Sequence, residues 1–224
     1  MNNNELPIKV LLIEQISIAN YGLEILINKQ QPLMKVIGSF NCCLNAIPTL
    51  ENLSPDIILL DIDLYSEKES QAALQLIAMR NAKILILKWI EDSTIYDKAI
   101  LAGANGILEK DVTLNTILKA IKKVHEGQLW LDQAYLKKLI SKMSYKNFEK
   151  NDIRNENKLE KLTPKEKTIF FTMTMIENAT LPAKVIANKL NIRESTLRNH
   201  LTSIYEKLEV ANKLQLWNFV NRHK

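Results

Sequence analysis

Arg198, Asn199, Thr202 and Ser203 fall along one side of a stretch that reads as a helix, and Leu197, Leu201, Ile204 and Leu208 fall along the other. The leucines and isoleucine recur at i, i+4, i+7 and i+11, the spacing of a single apolar stripe. The polar set offers donors and acceptors for base edges and phosphates, the chemistry of a helix lying in a DNA major groove. Upstream, Val185, Ile186 and Leu190 keep helical spacing, with the small Ala187 among them, and Asn191-Ile192-Arg193-Glu194 reads as a short polar turn. Ser195 is expected to cap the second helix by accepting from its free N–H groups. Two helices about such a turn are either a DNA-reading element or simply two packed helices, and spacing does not choose between them.

A second set of chemical groups stands at the ends of apolar runs. IKVLLI (8–13) stops at Glu14 and Gln15, DIILLD (56–61) ends on Asp61, KILIL (83–87) runs into Lys88, and GIL (106–108) is followed closely by Lys110. With a short run at Met34–Ile37, these read as five strands. Between and after them, helical patterns span Ser17–Lys29, Leu44–Leu53, Ser70–Arg80, Ser93–Ala102 and Leu114–His125. In the first helix Ile18, Gly22, Ile25 and Leu26 are the expected inner face, flanked by Leu23 and Ile27, while Pro48 weakens the second. Apolar strands alternating with amphipathic helices imply an α/β fold, a doubly wound five-stranded parallel sheet covered on both faces. Ligands in such sheets gather at the carboxyl ends of the strands. Acids and lysines meeting there form either a structural ion network or a site.

The chain has 224 residues, enough for one large or two small domains. It has no apolar run of membrane-spanning length, and MNNNELPIKVLLIE lacks the basic start of a signal peptide, so a cytoplasmic protein without membrane contact is expected. Cys42 and Cys43 are adjacent and read as two small hydrophobes rather than a disulfide or metal framework. The net charge of +5 is uneven: Leu162–Lys224 carries ten Lys/Arg against five Asp/Glu, and Lys137–Lys161 eight against four. An acidic front and a basic back suit a sensing module joined to a nucleic-acid module. Tyr135, Leu136, Leu139, Ile140 and Met143 mark a further helix, and Ser144–Lys161 has no apolar period and reads as a linker. Thr163, Pro164 and Glu166 form an expected capping box with proline in its favoured place, ahead of Ile169, Phe170, Met173 and Ile176. The expected division is 1–128, a receiver-like domain; 129–161, linker helix and charged linker; and 162–224, a smaller all-α helix-turn-helix domain.

LTPKE at Leu162–Glu166, VIANKL, STLRNHL and YEKLEVANK resemble, in that order, the LuxR-type DNA-binding domain. SPDIILLDIDL, KILILKWIEDS and AGANGILEKDV resemble the receiver domain of two-component response regulators, and the order of the two is that of the NarL/FixJ branch. This resemblance implies a phosphoacceptor, and Asp61 matches it: a carboxylate there attacks a phosphoryl group, and Mg²⁺ and a lysine stabilise the product. Lys110 matches the lysine; Glu14, Asp61 and the carbonyl of Asp63 match the metal ligands. It implies double-stranded DNA as partner, assembly as a homodimer, a sensor histidine kinase as phosphoryl donor, and no enzyme activity as the chain's role. Arg198 and Asn199 match positions that face DNA, where Arg can read guanine and Asn adenine. Ser195, Thr196 and Thr202 complete the expected DNA face. Lys184, Arg193, Lys207 and Lys213 are the expected phosphate contacts, which position without specifying.

Departures from the pattern shape the functional expectation. Gln15 stands where a metal-binding acid is usual, and a neutral amide is a poorer ligand for a hard cation. Lys88 replaces a hydroxyl residue; it either pairs with Asp61 or extends to solvent. Ile107 replaces the aromatic switch residue. The loop Glu177–Pro182 lacks its usual glycine, and Asn178 is expected to take the left-handed position instead. In the last helix, Lys213–Arg222, Leu214 and Trp217 share one side; Leu216 and Val220 form either a pairing surface or more core. The expectation is a DNA-binding regulator whose active form is independent of phosphorylation, requiring no cofactor and binding Mg²⁺ weakly at most. The alternatives are conventional control through Asp61, and a regulator whose helix-turn-helix binds protein partners.

Overall fold

The computed structural model describes residues 6–63, 66–79, 82–89, 94–132, 134–139, 158–175, 178, 181 and 183–221. The chain divides into two compact units, Met1–Glu126 and Gly127–Lys224.

In the first unit the strands are β1 (Ile8–Ile13), β2 (Met34–Phe40), β3 (Ile57–Asp61), β4 (Lys83–Lys88) and β5 (Gly106–Glu109). All pair in parallel, in the order β2-β1-β3-β4-β5. Every residue of β3 and the middle of β1 and β4 are buried, which is why these runs are apolar without alternation. The helices are α1 (Ser17–Asn28), α2 (Cys43–Ala46), α3 (Leu50–Leu53), α4 (Glu67–Met79), α5 (Thr94–Ala102) and α6 (Leu114–His125). The first connection moves outward from β1 and the later ones move the other way. Right-handed crossovers therefore put α1 on one face and α2–α5 on the other.

Three features of this unit differ from expectation. The helix expected over 44–53 is broken into α2, a 3₁₀ turn at Ile47–Thr49 and α3; Pro48 has no N–H to continue the α-helical ladder. In α1 the buried residue is Ile27, whereas Ile18, Gly22 and Ile25 are exposed. The helix is apolar on several sides, and the sheet takes its flank rather than the expected inner face. β2 runs on through Gly38, where an added Cβ would come within 2.8 Å of Leu11 Cδ1, so glycine permits the close approach of β2 to β1. Arg80 and Ser93 lie outside the described residues.

In the second unit residues 134–139 form a helix, α7, with Leu136 and Leu139 buried, and residues 158–160 a helical turn, α8. Ile140, Met143 and most of the expected linker lie outside the described residues, as do Ile176 and Arg222. The rest is α9 (Pro164–Thr174), α10 (Ala183–Lys189), α11 (Glu194–Leu208) and α12 (Lys213–Asn221). The capping box forms as expected: Thr163 Oγ1 accepts from Glu166 N at 3.3 Å, and Glu166 Oε2 accepts from Thr163 N at 2.7 Å. The core joins Ile169, Phe170, Met173, Ile186, Leu197, Leu201, Ile204, Leu208 and Leu216. Leu216 is thus core, which removes it as a pairing surface; the side chain of Val220 lies outside the described residues. Val185 is exposed, not part of the inner face of α10.

Candidate nucleic-acid interface and receiver pocket

α11 is held by its apolar stripe: Leu197, Leu201, Ile204 and Leu208 are all buried. Asn191 ends α10 in a left-handed conformation (φ 53°), and Ile192 N donates to Ala187 O at 3.0 Å, closing the turn of the motif. α11 begins two residues earlier than expected. Arg193 occupies the N-cap position and Glu194 the first turn, so Ser195 is inside the helix and does not cap it. Ser195, Thr196, Asn199, Thr202 and Glu206 are exposed. Ser195, Asn199 and Thr202 recur at i, i+4 and i+7, a neutral hydrogen-bonding strip opposite the core. Lys184 on α10 and Arg193 in the turn are exposed beside it in sequence.

The other expected DNA contacts are engaged inside the domain. Lys207 Nζ bridges Glu166, at 2.9 Å from Oε1 and 2.7 Å from Oε2, and Ser203 Oγ donates to Oε1 at 2.7 Å. Lys213 Nζ donates to the carbonyls of Asn178 and Leu181, each at 2.8 Å. Burial pushes the Lys213 ammonium down to about 8. Both lysines are thus engaged within the domain. Asn178 has a different role from the one expected: its buried amide donates to Thr172 O and accepts from Lys189 Nζ, both at 2.7 Å, tying the loop before α10 to α9. Arg198 Nη2 lies 2.6 Å from Glu194 Oε1, with the two side chains 34% and 28% exposed.

In the first unit the strand ends do converge. Asp61 and Glu14 are buried, and one ammonium, Lys110 Nζ, lies 2.6 Å from Asp61 Oδ2 and 3.1 Å from Glu14 Oε2. Glu14 Oε1 accepts from Ile16 N at 3.0 Å. Burial raises the Glu14 carboxyl above its usual range; the Ile16 N–H lowers it, and the neighbouring Asp61 raises it further. Burial alone would depress Lys110, but Asp61 and then Glu14 outweigh it and raise the ammonium. Lys88 does neither thing expected of it. Its Nζ faces Glu109 Oε1 at 3.8 Å and lies 5.9 Å from the centre of the Tyr96 ring. Gln15 sits half-buried next to Glu14.

Asp63 holds an arrangement that the sequence did not suggest. Its backbone N–H donates to Asp61 Oδ1 at 3.0 Å, while its own carboxylate accepts from Trp89 N and from the hydroxyl of the buried Tyr96. Trp89, just after β4, and the start of α5 are thereby tied to the end of β3. For a metal, the donor set is short: Glu14 and Asp61 share one lysine, and Gln15 brings an amide. Among the described residues no three His, Cys, Asp or Glu side chains form a cation site. The residues present fit Mg²⁺ poorly. Among the described residues no helix is long and apolar enough to cross a membrane.

Comparison with known proteins agrees with this geometry. Residues 160–220 match the family described as bacterial regulatory proteins, luxR family. The chain is 30% identical over 211 residues to the transcriptional regulatory protein LnrK of Bacillus subtilis, covering 93% of this chain and 94% of that one. It is 26% identical over 225 residues to the nitrate/nitrite response regulator protein NarL of Escherichia coli, covering 100% and 99%. Among solved structures, the RcsB response regulator of Salmonella typhimurium shares the fold with a TM-score of 0.52 at 18% identity, over 96% of this chain and 99% of that one.

Proposed function

We infer the activity of this chain from the family to which it belongs, the NarL/FixJ-type response regulators with a LuxR-type DNA-binding domain: it is a DNA-binding transcription regulator and not an enzyme. The observation that carries the reading is the exposed polar strip of α11 set on a fully buried apolar stripe, which lets a helix enter a major groove while its back stays in the core. Ser195, Thr196, Arg198, Asn199 and Thr202 read base edges, and Lys184 and Arg193 hold phosphates. Two copies bind together on DNA, because one helix reads too few base pairs for useful specificity. The protein works in the cytoplasm, where its DNA is. A selection from random duplexes, followed by gel shift of the selected fragment against bulk competitor, tests this. Retention of the selected fragment under competition is expected, and equal loss of both would overturn it.

Control does not depend on phosphorylation of Asp61. Four features favour this. Lys88 has no hydroxyl to follow a phosphoryl group, Ile107 has no ring to swing, and the metal set is one carboxylate short. In addition, Asp63 already ties the end of β3 to Trp89 and Tyr96. A ligand shifts a conformational equilibrium only through differential contacts. A sensor histidine kinase is therefore not required for the DNA-binding form.

A further inference from the structure

Resting on the DNA-reading assignment of α11, we propose that Glu194 is a specificity-determining residue. It holds the guanidinium of Arg198 for a guanine edge and denies it to phosphates. Lys207 and Arg198 of α11 are both answered by carboxylates, Lys207 by Glu166 and Arg198 by Glu194. The two pairs differ in kind. Glu166 is buried and belongs to α9, whereas Glu194 is on α11 itself, one turn before Arg198 and on the side that leads into the exposed strip. The i, i+4 spacing and the 2.6 Å contact fix one edge of the guanidinium plane before any DNA arrives.

That pairing has opposite consequences for the two classes of contact. A phosphate that accepted from Arg198 would meet the Glu194 carboxylate beside it, and the like charges repel. The guanine edge presents the neutral acceptors N7 and O6, so it can take donors from Arg198 while Glu194 keeps its own oxygen on Nη2. A carboxylate in the major groove is moreover an acceptor for the cytosine amino group. The pair therefore fits a G·C-containing step and resists a contact made to the backbone alone. Glu206, exposed farther along the same helix, adds a second acid on the strip and extends the penalty on indiscriminate binding.

The test compares wild type, Glu194→Gln, Arg198→Ala and the double variant on the selected fragment and on bulk DNA, across a salt series. Glu194→Gln should raise bulk affinity about fivefold near 0.15 M salt and steepen the salt slope by about 0.9, as expected when the released Arg198 neutralises one further phosphate. It should leave affinity for the selected fragment unchanged, so the specificity ratio falls about fivefold. Guanine should lose ground in a repeated selection. In the double variant the Glu194→Gln effect should vanish, because it acts through Arg198. Thermal melting of each variant separates these effects from loss of fold; should Glu194→Gln melt below the assay temperature, Glu194→Asp, too short to reach Nη2, carries the same comparison. An unchanged ratio and slope with Arg198→Ala still impairing the selected fragment overturns the role of Glu194 alone. An unchanged result for Arg198→Ala as well overturns the assignment of α11 as the reading helix.

Discussion

The ammonium of Lys207 on α11 bridges both oxygens of the Glu166 carboxylate on α9, 41 residues away in sequence. Glu166 also closes the capping box with Thr163 and accepts from Ser203. One buried carboxylate thus joins the start of α9 to the last turns of α11. Its burial raises the carboxyl, and Lys207, Ser203 and Thr163 outweigh that and bring it down to about 2.

The acid limb of stability follows from that value. A depressed folded-state carboxyl contributes stability that is complete above its ordinary value of 4.5 and is lost as pH falls toward about 2. The loss amounts to about 3 kcal/mol by linkage. Unfolding of the chain followed between pH 6 and 2.5 should show this drop in the helical unit, and Glu166→Gln should remove most of it. An acid profile identical in Glu166→Gln and wild type would refute the assignment.

Lys110→Met should destabilise the first unit by about 3–5 kcal/mol at neutral pH, because two buried carboxylates, Glu14 and Asp61, lose the ammonium that bridges them. The deficit should shrink on acidification. An acid whose folded pKa is raised leaves the folded state holding the proton more tightly, so stability rises as pH falls. Denaturant melts at pH 7 and pH 5 measure both; a deficit that grows at pH 5 would contradict the ion-pair account.

On DNA, Arg198→Ala should cost about 1–3 kcal/mol at the selected site and relax base preference at one position. Lys184→Ala and Arg193→Ala should instead weaken selected and bulk DNA alike, each flattening the salt slope by about 0.9. Lys213→Ala should act through stability, since its ammonium is committed to the carbonyls of Asn178 and Leu181. A Lys213→Ala protein with unchanged melting and reduced salt slope would return that lysine to the phosphate contacts.

Asp61→Asn should leave DNA affinity within about twofold, a difference of under about 1 kcal/mol. Incubation with acetyl phosphate and Mg²⁺, read by intact mass and by gel shift, checks the same point. Phosphorylated protein that binds its site about tenfold tighter, about 1.4 kcal/mol, would restore control through Asp61.

Tyr96→Phe should cost about 1–2 kcal/mol, since the Asp63 carboxylate loses a hydrogen bond within the fold. It should also shift the fluorescence of Trp89, which is 71% exposed on the loop that Asp63 holds. Unaltered melting and emission would show that the hydroxyl does not tether the loop.

Much of this is readable in the residues. The runs IKVLLI, DIILLD and KILIL become β1, β3 and β4 because strands buried on both faces need unbroken apolar sequence. Thr163, Pro164 and Glu166 announce the start of α9 because a cap is a local bond pattern. The meeting of Glu14, Asp61 and Lys110 follows from topology, since parallel strands bring their carboxyl ends to one edge. The pairing of Glu194 with Arg198 spans one helical turn, so its signal is the i, i+4 spacing of an acid and a base.

Other features are decided only when the elements pack. α1 is apolar around much of its circumference, so its rotation, with Ile27 inward and Ile18 outward, depends on the sheet beneath it. Lys207 and Lys213 are indistinguishable in sequence from lysines that reach phosphates. Glu166 and the carbonyls of Asn178 and Leu181 claim them across 41, 35 and 32 residues, distances over which no local pattern extends. Lys88 turns from Asp61 to Glu109 because parallel pairing sets Lys88 beside Glu109 on the neighbouring strand. The tie from Asp63 to Tyr96 needs the end of β3 and the first turn of α5 to meet. Sequence determined which elements form and which ends they share; the tertiary structure decided how each charge is paired within the fold, because a charge is answered by whatever lies nearest in space.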